Sequence, residues 1–288
     1  MAVLMKGAKV CAGMEEALRA ERAELERMGV APKLAIVRVG AVEGVLAWER
    51  EILKRLDGLE IMTHIVALPE DIPRARVEAE LARANGDPSV HGVLLSRPMP
   101  THLDGGWAWE AIDPIKDVDG TSPINLAKLF VGELDGSVPC RASAVMEMLA
   151  HYGVSLEGKA VTIIAGDDKG IGRSLAMLML AERAAVTICD ARTADDMPSI
   201  CRSADVLVTS VGKASAIGMD HVSGRSIVVD TGIDVGLDGD VCGDVDFSSV
   251  EPIVSMISPV PRGVGPVTAA TLARNVLKAA RLQQPRPL

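Results

Sequence analysis

The stretch AVTIIAGDDKGIGRS, residues 160–174, decides the fold. Its apolar start predicts a buried strand that leads into Gly166, and Gly170 and Gly172 then open a helix. A helix N-terminus carries unpaired N–H groups and the positive end of the helix dipole, so a pyrophosphate can bind there. The glycine spacing, G-x3-G-x-G, differs from the usual G-x-G-x-x-G. The loop by itself therefore fits either a nucleotide site or a plain tight turn between strand and helix.

A second strand with a terminal acid follows this loop. AVTICD ends in Asp190, 18 residues after Gly172, close to the roughly 20 residues expected for the acid that binds an adenosine ribose. Asp190 could instead cap the next helix, but strand, glycine loop and acid together favour a dinucleotide site. A carboxylate there repels a 2′-phosphate, and Asp167 and Asp168 add negative charge. The sequence therefore predicts NAD in preference to NADP, although Arg192 could counter part of this charge.

The composition suits a sheet covered by helices. The chain has 288 residues, 48% of them hydrophobic and only 2% aromatic, so aliphatic side chains must fill the core. A net charge of −9 without a basic stripe argues against nucleic acid as a partner. There is no run of 18 apolar residues to span a membrane. The five cysteines lack metal-ligand spacing and the start makes a poor secretory signal, so we expect a cytoplasmic protein with reduced thiols and no metal site.

Strand and helix patterns alternate along both halves of the chain. Apolar runs such as LAIVRV and VHGVLLS alternate with helix-like segments, which predicts βαβ units, parallel sheets and an α/β fold. The chain becomes irregular near residues 136–142, GSVPCRA, which marks a domain boundary. We expect a first domain of residues 1–141, completed by the C-terminal helix of residues 268–288, and a second domain of residues 142–267.

Motifs in both domains then carry a specific resemblance. They are HGVLLSRPMP (91–100), DPIKDVDGTSPINLAKL (113–129), PC (139–140), GDDKGIGRS (166–174), SVGK (210–213), DTGID (230–234), GDVDF (243–247) and PVPRGVGPVT (259–268). In this order they resemble the bifunctional methylenetetrahydrofolate dehydrogenase/methenyltetrahydrofolate cyclohydrolase family over nearly the whole chain. The resemblance implies two α/β domains flanking a cleft, with folate against the first domain. It also implies NAD(P) in a Rossmann-like, doubly wound second domain, and a homodimer formed through the cofactor domains.

The resemblance assigns residues to both ligands. Asp119 matches the aspartate that binds the pterin ring, although an Asp before Gly can also simply stabilise a turn. Gly263, Gly265 and Pro266 match a loop that closes over the folate, with Arg262 in place of a usual glycine. The residues assigned to the cofactor are Gly166, Asp168, Gly170, Ile171, Gly172, Asp190, Arg192, Val211, Gly212 and Ile233.

The catalytic positions of the resembled family are changed in this chain. Its Y-x-x-x-K signature falls on Trp48 and Ile52 when residues are counted without gaps from either side. The glutamine expected after the third strand falls on Ser96, with Pro98 close behind as a further substrate contact. Lys54 does not restore the missing lysine, because two residues along a helix rotate a side chain by about 200°. We therefore count the chain as a divergent member without the catalytic lysine.

These changes are predicted to affect the two family reactions differently. Hydride transfer depends mainly on the alignment of two bound rings, whereas ring hydrolysis gains about 10²–10⁴-fold from acid–base groups. Isoleucine supplies no such group. The prediction is an NAD-dependent dehydrogenase of 5,10-methylenetetrahydrofolate with little or no cyclohydrolase activity. Two alternatives stay open: an oxidoreductase acting on another one-carbon pterin carrier, and a non-catalytic relative that only binds folate or nucleotide.

Overall fold

A computed structural model describes residues 1–165, 171–191, 196–235 and 241–284. The chain forms two compact units. The C-terminal unit comprises residues 1–13 and 141–268, and the N-terminal unit comprises residues 14–140 and the chain from Ala269. No helix in the described ranges is long and apolar enough to cross a membrane.

The helices and strands alternate through most of the chain. The helices are α1 Gly7–Arg27, α2 Glu43–Asp57, α3 Arg74–Gly86, α4 Trp107–Glu110, α5 Pro123–Phe130, α6 Cys140–His151, α7 Ile171–Ala181, α8 Met197–Ser203, α9 Phe247–Val250 and α10 Val264–Leu282. The strands are β1 Val3–Leu4, β2 Lys33–Val39, β3 Met62–Leu68, β4 Gly92–Leu95, β5 Ala160–Ala165, β6 Ala185–Asp190, β7 Val206–Ser210, β8 Ile227–Asp230, β9 Asp234–Val235, β10 Val241–Cys242 and β11 Met256–Ile257.

The N-terminal unit contains a parallel sheet with the strand order β3-β2-β4. Alternate residues of a strand point to opposite faces of its sheet. Ala35, Val37 and Val39 of β2 pack with Val77 and Leu81 of α3 on one face. The intervening residues of β2 therefore point to the other face. The sheet thus separates α3 from the helix that carries the predicted catalytic positions.

The C-terminal unit contains a six-stranded parallel sheet with the order β1-β11-β8-β7-β5-β6. Starting at β5, the chain adds β6 on one side and β7 on the other, so the strand order reverses between β5 and β7. Ligands of open α/β sheets bind beyond the carboxyl ends of the strands at such a switch point. The predicted α/β fold, with parallel sheets and two domains, is confirmed.

The N-terminus differs from the sequence-based boundary. Residues 1–13 were expected in the first domain but belong to the C-terminal unit. The reason is that Val3 and Leu4 of β1 pair with Met256 and Ile257 of β11 and so extend the larger sheet. A strand of two residues has no periodicity to recognise, and it forms only where a sheet edge accepts it.

Candidate active site

The inward face of α2 carries the predicted catalytic positions. Its buried residues are Val45, Glu49, Ile52 and Leu56, a spacing that keeps all four on one side of a helix. Ile52 is 1% exposed. Trp48 lies beside this stripe and is half-buried. The position assigned to the catalytic lysine is therefore an apolar, fully packed site.

An ion pair that sequence reasoning missed lies next to this position. Arg38 of β2 donates from Nε to Oε2 of Glu49 over 3.0 Å. Its Nη1 also donates to the carbonyl oxygen of Gly40. The two side chains are 14% and 10% exposed. Glu49 lies three residues before Ile52 on the same helix face, so the pair borders the isoleucine. An arginine among the apolar residues that follow Lys33 in this strand was the signal available in the sequence.

Ser96 and its neighbours form the edge of the small sheet beside α2. The Ser96 N–H donates to the Val37 carbonyl oxygen over 2.9 Å, which continues the pairing of β2 with β4. Ser96 itself is buried, whereas Pro98 is exposed. Between them, the Arg97 guanidinium carbon lies 3.5 Å from the ring centre of Trp109. This cation–π contact brings α4 against the segment in which a substrate contact was predicted.

The KDVDG turn separates two aspartates with different surroundings. Asp117 is 1% exposed and accepts hydrogen bonds from the N–H of Gly120 over 3.0 Å, the N–H of Ser122 over 2.7 Å and the Asn125 amide over 2.9 Å. Asp117 therefore holds the turn, which was the alternative role considered for Asp119. Asp119 is only half-buried. Ligand binding by Asp119 stays a prediction.

Helix α10 fixes the segment that carries Asp119. Asn275 donates from Nδ2 to the carbonyl oxygens of Val118 over 2.8 Å and Val138 over 3.1 Å. Cys140 also contributes, because its thiol donates to the Val118 carbonyl oxygen over 3.2 Å. Burial, and then the charge of Asp119, raise the pKa of Cys140 well above its usual value, so the thiol stays protonated. The last helix thus braces the predicted pterin-binding aspartate.

Predicted cofactor residues meet at the carboxyl edge of the large sheet. Ala165 at the end of β5 pairs with Asp190 on one side and Ser210 on the other. Ile171 and Gly172 begin α7, and a Cβ added at Gly172 would lie 3.0 Å from the Ala165 Cβ. Glycine therefore allows α7 to pack closely on β5, one of the roles of glycines in dinucleotide sites. Gly166, Asp168, Gly170 and Arg192 lie outside the described residues.

Backbone N–H groups of the loop after β7 converge on a buried acid. Asp244 accepts hydrogen bonds from the N–H of Val211 over 2.8 Å, of Gly212 over 2.9 Å and of Lys213 over 3.2 Å. The Asp244 residue is fully buried. A carboxylate on three successive N–H groups holds this loop in one conformation at the switch point. Sequence reasoning used GDVDF only as part of the resemblance and missed this role.

A second buried acid supports the first. Oδ1 of Asp230 accepts the N–H of Gly232 over 2.9 Å, and Oδ2 accepts the N–H of Val245 over 2.9 Å. Burial raises the pKa of Asp230 to about 6, while these backbone hydrogen bonds act in the opposite direction. Beyond Asp230, Ile233 is 58% exposed. The predicted contact Ile233 thus presents an apolar side chain beside a rigid polar turn.

The predicted folate-closing loop lies at the start of α10. Gly263 is buried, and a Cβ there would collide with the Pro259 carbonyl oxygen. A Cβ added at Gly265 would meet no described atom within 4 Å, and Pro266 is half-buried. Arg262, at a position where the resemblance predicts a glycine, has a left-handed backbone with φ +81°. The turn therefore keeps the backbone conformation that suits glycine.

Comparisons with known proteins agree with the resemblance. Two family models match, tetrahydrofolate dehydrogenase/cyclohydrolase catalytic domain over residues 5–119 and its NAD(P)-binding domain over residues 139–284. The bifunctional protein FolD of Clostridioides difficile (strain 630) is 42% identical over 280 residues, 97% of each chain. The bifunctional FolD enzyme from Campylobacter jejuni has a TM-score of 0.92 and 33% identity, over 99% of this chain and 100% of that one. The Trypanosoma brucei methylenetetrahydrofolate dehydrogenase-cyclohydrolase, in complex with NADP and an inhibitor, has a TM-score of 0.91 and 30% identity over 98% of both chains.

Proposed function

Because this chain belongs to the tetrahydrofolate dehydrogenase/cyclohydrolase family, we propose that it oxidises 5,10-methylenetetrahydrofolate to 5,10-methenyltetrahydrofolate with NAD. We propose in addition that its cyclohydrolase activity is weak or absent. The observation that carries the second part is Ile52, an apolar side chain that is 1% exposed on the inward face of α2. The relatives compared above are described as bifunctional, so the proposal sets this chain apart from them.

The dehydrogenase step needs alignment more than acid–base help. A C–H bond of the methylene bridge breaks, its electron pair leaves as hydride to the nicotinamide, and a substrate nitrogen lone pair completes the C=N bond of the methenyl product. Bound NAD supplies the hydride acceptor. The protein's task is to hold the substrate, for which Asp119, Ser96 and Trp48 are our candidates. No proton has to be transferred to or from a side chain.

The cyclohydrolase step makes demands that this site does not meet. Water must attack the methenyl carbon, and protons must then move while the ring opens. Ile52 cannot exchange a proton, and Lys54 two residues later is exposed. Glu49 borders the site, but its carboxylate is engaged by Arg38 over 3.0 Å. The residues around the isoleucine therefore favour retention of the methenyl product.

Asp190 supports the choice of NAD. It ends β6 in the same row as Ala165 and Ser210, where an acid accepts hydrogen bonds from ribose hydroxyls and repels a 2′-phosphate. The Trypanosoma brucei relative was solved with NADP, so the cofactor preference has to be measured on this chain. We expect kcat/KM to be higher with NAD than with NADP. The Asp190→Ser variant should lower the ratio of these two kcat/KM values by about tenfold. An Asp205→Ser control, on a different loop, should leave the preference unchanged.

A direct assay tests the reaction. The unaltered protein is mixed with 5,10-methylenetetrahydrofolate and either NAD or NADP, the reduced cofactor is followed by its absorbance, and methenyl product is resolved by acid quench. We expect NADH and methenyl product to form together, and added methenyltetrahydrofolate to disappear no faster than in buffer. Methenyl hydrolysis well above the buffer rate would overturn the single-activity proposal. Absence of NADH and NADPH formation would overturn the dehydrogenase itself.

One contact favours a second candidate, an oxidoreductase acting on a different one-carbon pterin carrier. Arg97 stacks on Trp109 immediately after Ser96, and this changes the shape and charge of the segment that should contact the substrate. A carrier with different substituents on the pterin would then replace folate. Oxidation of such a methylene carrier, with no turnover of the folate form, would favour this candidate over the first.

A homodimer formed through the C-terminal unit completes the proposal. Strand β6 lies at one edge of the six-stranded sheet, and Ile188 of β6 and Leu180 of α7 are 48% and 49% exposed. An edge strand with an apolar surface is suited to contact a second copy. Light scattering coupled to size-exclusion chromatography should give twice the chain mass, and the mass of a single chain would contradict the dimer.

A further inference from the structure

The Arg38–Glu49 pair places a fixed positive group beside the position where the family motif puts lysine. The contact joins β2 to α2, and both side chains are largely buried. Burying a charged pair is costly unless its geometry is good and its remaining donors are used. Exposed pairs on the same helix, such as Arg50 with Glu43, do not face this cost. Because burial of the Arg38–Glu49 pair is costly unless its remaining donors are used, we ask which group the remaining N–H donors of Arg38 bind.

The sheet register shows which way Arg38 points. Val37 pairs with Leu95, and the Ser96 N–H donates to the Val37 carbonyl oxygen. Arg38 and Ser96 each come one residue later, so both lie on the face opposite the α3 core. Glu49 and Ile52 approach that same face from α2. Arg38 thus lies among the predicted substrate contacts and not in the opposite core.

Not all of the guanidinium is used by the protein. Nε donates to Glu49 and Nη1 donates to Gly40. Nη2 makes no hydrogen bond with the described residues, and the side chain keeps 14% of its surface exposed. A guanidinium held by a carboxylate on one edge presents its remaining N–H groups as a rigid donor set. Such donors suit a carbonyl or carboxylate oxygen.

We propose that Arg38, oriented by Glu49, is a substrate-binding residue that donates hydrogen bonds to an oxygen of the folate. This inference rests on the proposed function and extends it. Arginine keeps its charge under the conditions in which enzymes work and does not act as a proton donor or acceptor. It therefore takes over the binding part of the lysine's role without the acid–base part. The nearby Glu49 charge also compensates the guanidinium, which favours a site that forms a positively charged methenyl product.

Binding of tetrahydrofolate, which needs no turnover, tests this proposal by calorimetry on the full chain. The variants are Arg38→Gln and the double variant Arg38→Gln/Glu49→Gln, which leaves no unpaired buried charge and so guards against misfolding. The matched control is Arg50→Gln/Glu43→Gln, an exposed pair on the same helix. We expect both Arg38 variants to weaken tetrahydrofolate binding by about tenfold while NAD affinity changes by less than about twofold. The control should change neither affinity.

A different set of results would overturn the proposal. Tetrahydrofolate affinity within about twofold of the unaltered protein in the double variant would show that the pair only joins β2 to α2. Equal losses of tetrahydrofolate and NAD binding would also assign it a purely structural role. Binding of tetrahydrofolate without oxidation of the methylene form would overturn the proposed reaction but not the role of Arg38. No binding by the unaltered chain would overturn both.

Discussion

The candidate ligand-binding residues of the two units are of different kinds. In the C-terminal unit, the candidate cofactor region consists of backbone N–H groups bound by buried acids. Asp244 accepts hydrogen bonds from residues 211–213, and Asp230 accepts one from the turn beside them. In the N-terminal unit, the candidate residues are side chains that contact a neighbouring helix or strand. Arg38 reaches Glu49, and Arg97 stacks on Trp109. The C-terminal set depends on main-chain geometry, and the N-terminal set depends on the identity of individual side chains.

This difference bears on where we propose that the chain departs from its family pattern. A site made of main-chain donors changes little when neighbouring side chains change, because every residue except proline supplies the same N–H group. A site made of side chains changes its chemistry with each substitution. The motifs SVGK and GDVDF match the family pattern, whereas we propose that the tyrosine and lysine positions of the family fall on Trp48 and Ile52. We therefore expect cofactor binding to tolerate side-chain changes better than the folate chemistry does.

Removal of the Asp244 carboxylate is the strongest test of the backbone N–H groups in the C-terminal unit. Asp244→Ala leaves three N–H groups without their acceptor, so we expect a loss of about 3 kcal/mol in the free energy of unfolding of the C-terminal unit. Hydrogen exchange of residues 211–213 should become faster and NAD binding weaker, as measured by mass spectrometry and calorimetry. Asp220→Ala, an exposed acid in the same unit, is the control. Unchanged exchange in the loop would contradict the role of Asp244.

Introduction of an amine at position 52 tests the side chains of the N-terminal unit. Ile52→Lys places an ammonium on the buried face of α2, three residues after Glu49, and we expect methenyl hydrolysis to rise by about 10²-fold. Ile52→Met is the matched control, since it keeps an apolar side chain of similar size without an amine. Absorbance of the methenyl form reports the rate. A similar gain in both variants would show that loosened packing, and not the amine, admits the reaction.

Relief of backbone strain at Arg262 should have the smallest effect. Its φ of +81° lies in the left-handed region that favours glycine, so Arg262→Gly should stabilise the C-terminal unit by about 1 kcal/mol. Arg262→Ala removes the same side chain but keeps the strain, and it should give no gain. Urea unfolding of both variants measures the difference. An equal gain from alanine would mean that the side chain, and not the backbone, carries the cost.

Much of the fold could be read from periodicity and glycine placement. The apolar runs that became β2, β4, β5 and β6 are long enough to show their strand character, and the glycine loop locates the start of α7. In contrast, β1 has two residues and exists only because β11 offers an edge. The different roles of Asp117 and Asp119 could not be predicted from the sequence either. Both acids belong to one motif, and only the hydrogen bonds show which of them holds the turn.

The sequence by itself determined the α/β alternation and the family motifs, because both are matters of local pattern and spacing, and the same spacing is the basis of our proposal for Ile52. Only the tertiary structure decided that Arg38 meets Glu49 and that Asp244 binds the loop after β7. Those partners are 11 and 31–33 residues apart in the chain. Their contacts depend on which strands become neighbours and which face each helix covers. A charge in a strand becomes an active-site candidate only when the fold gives it a partner.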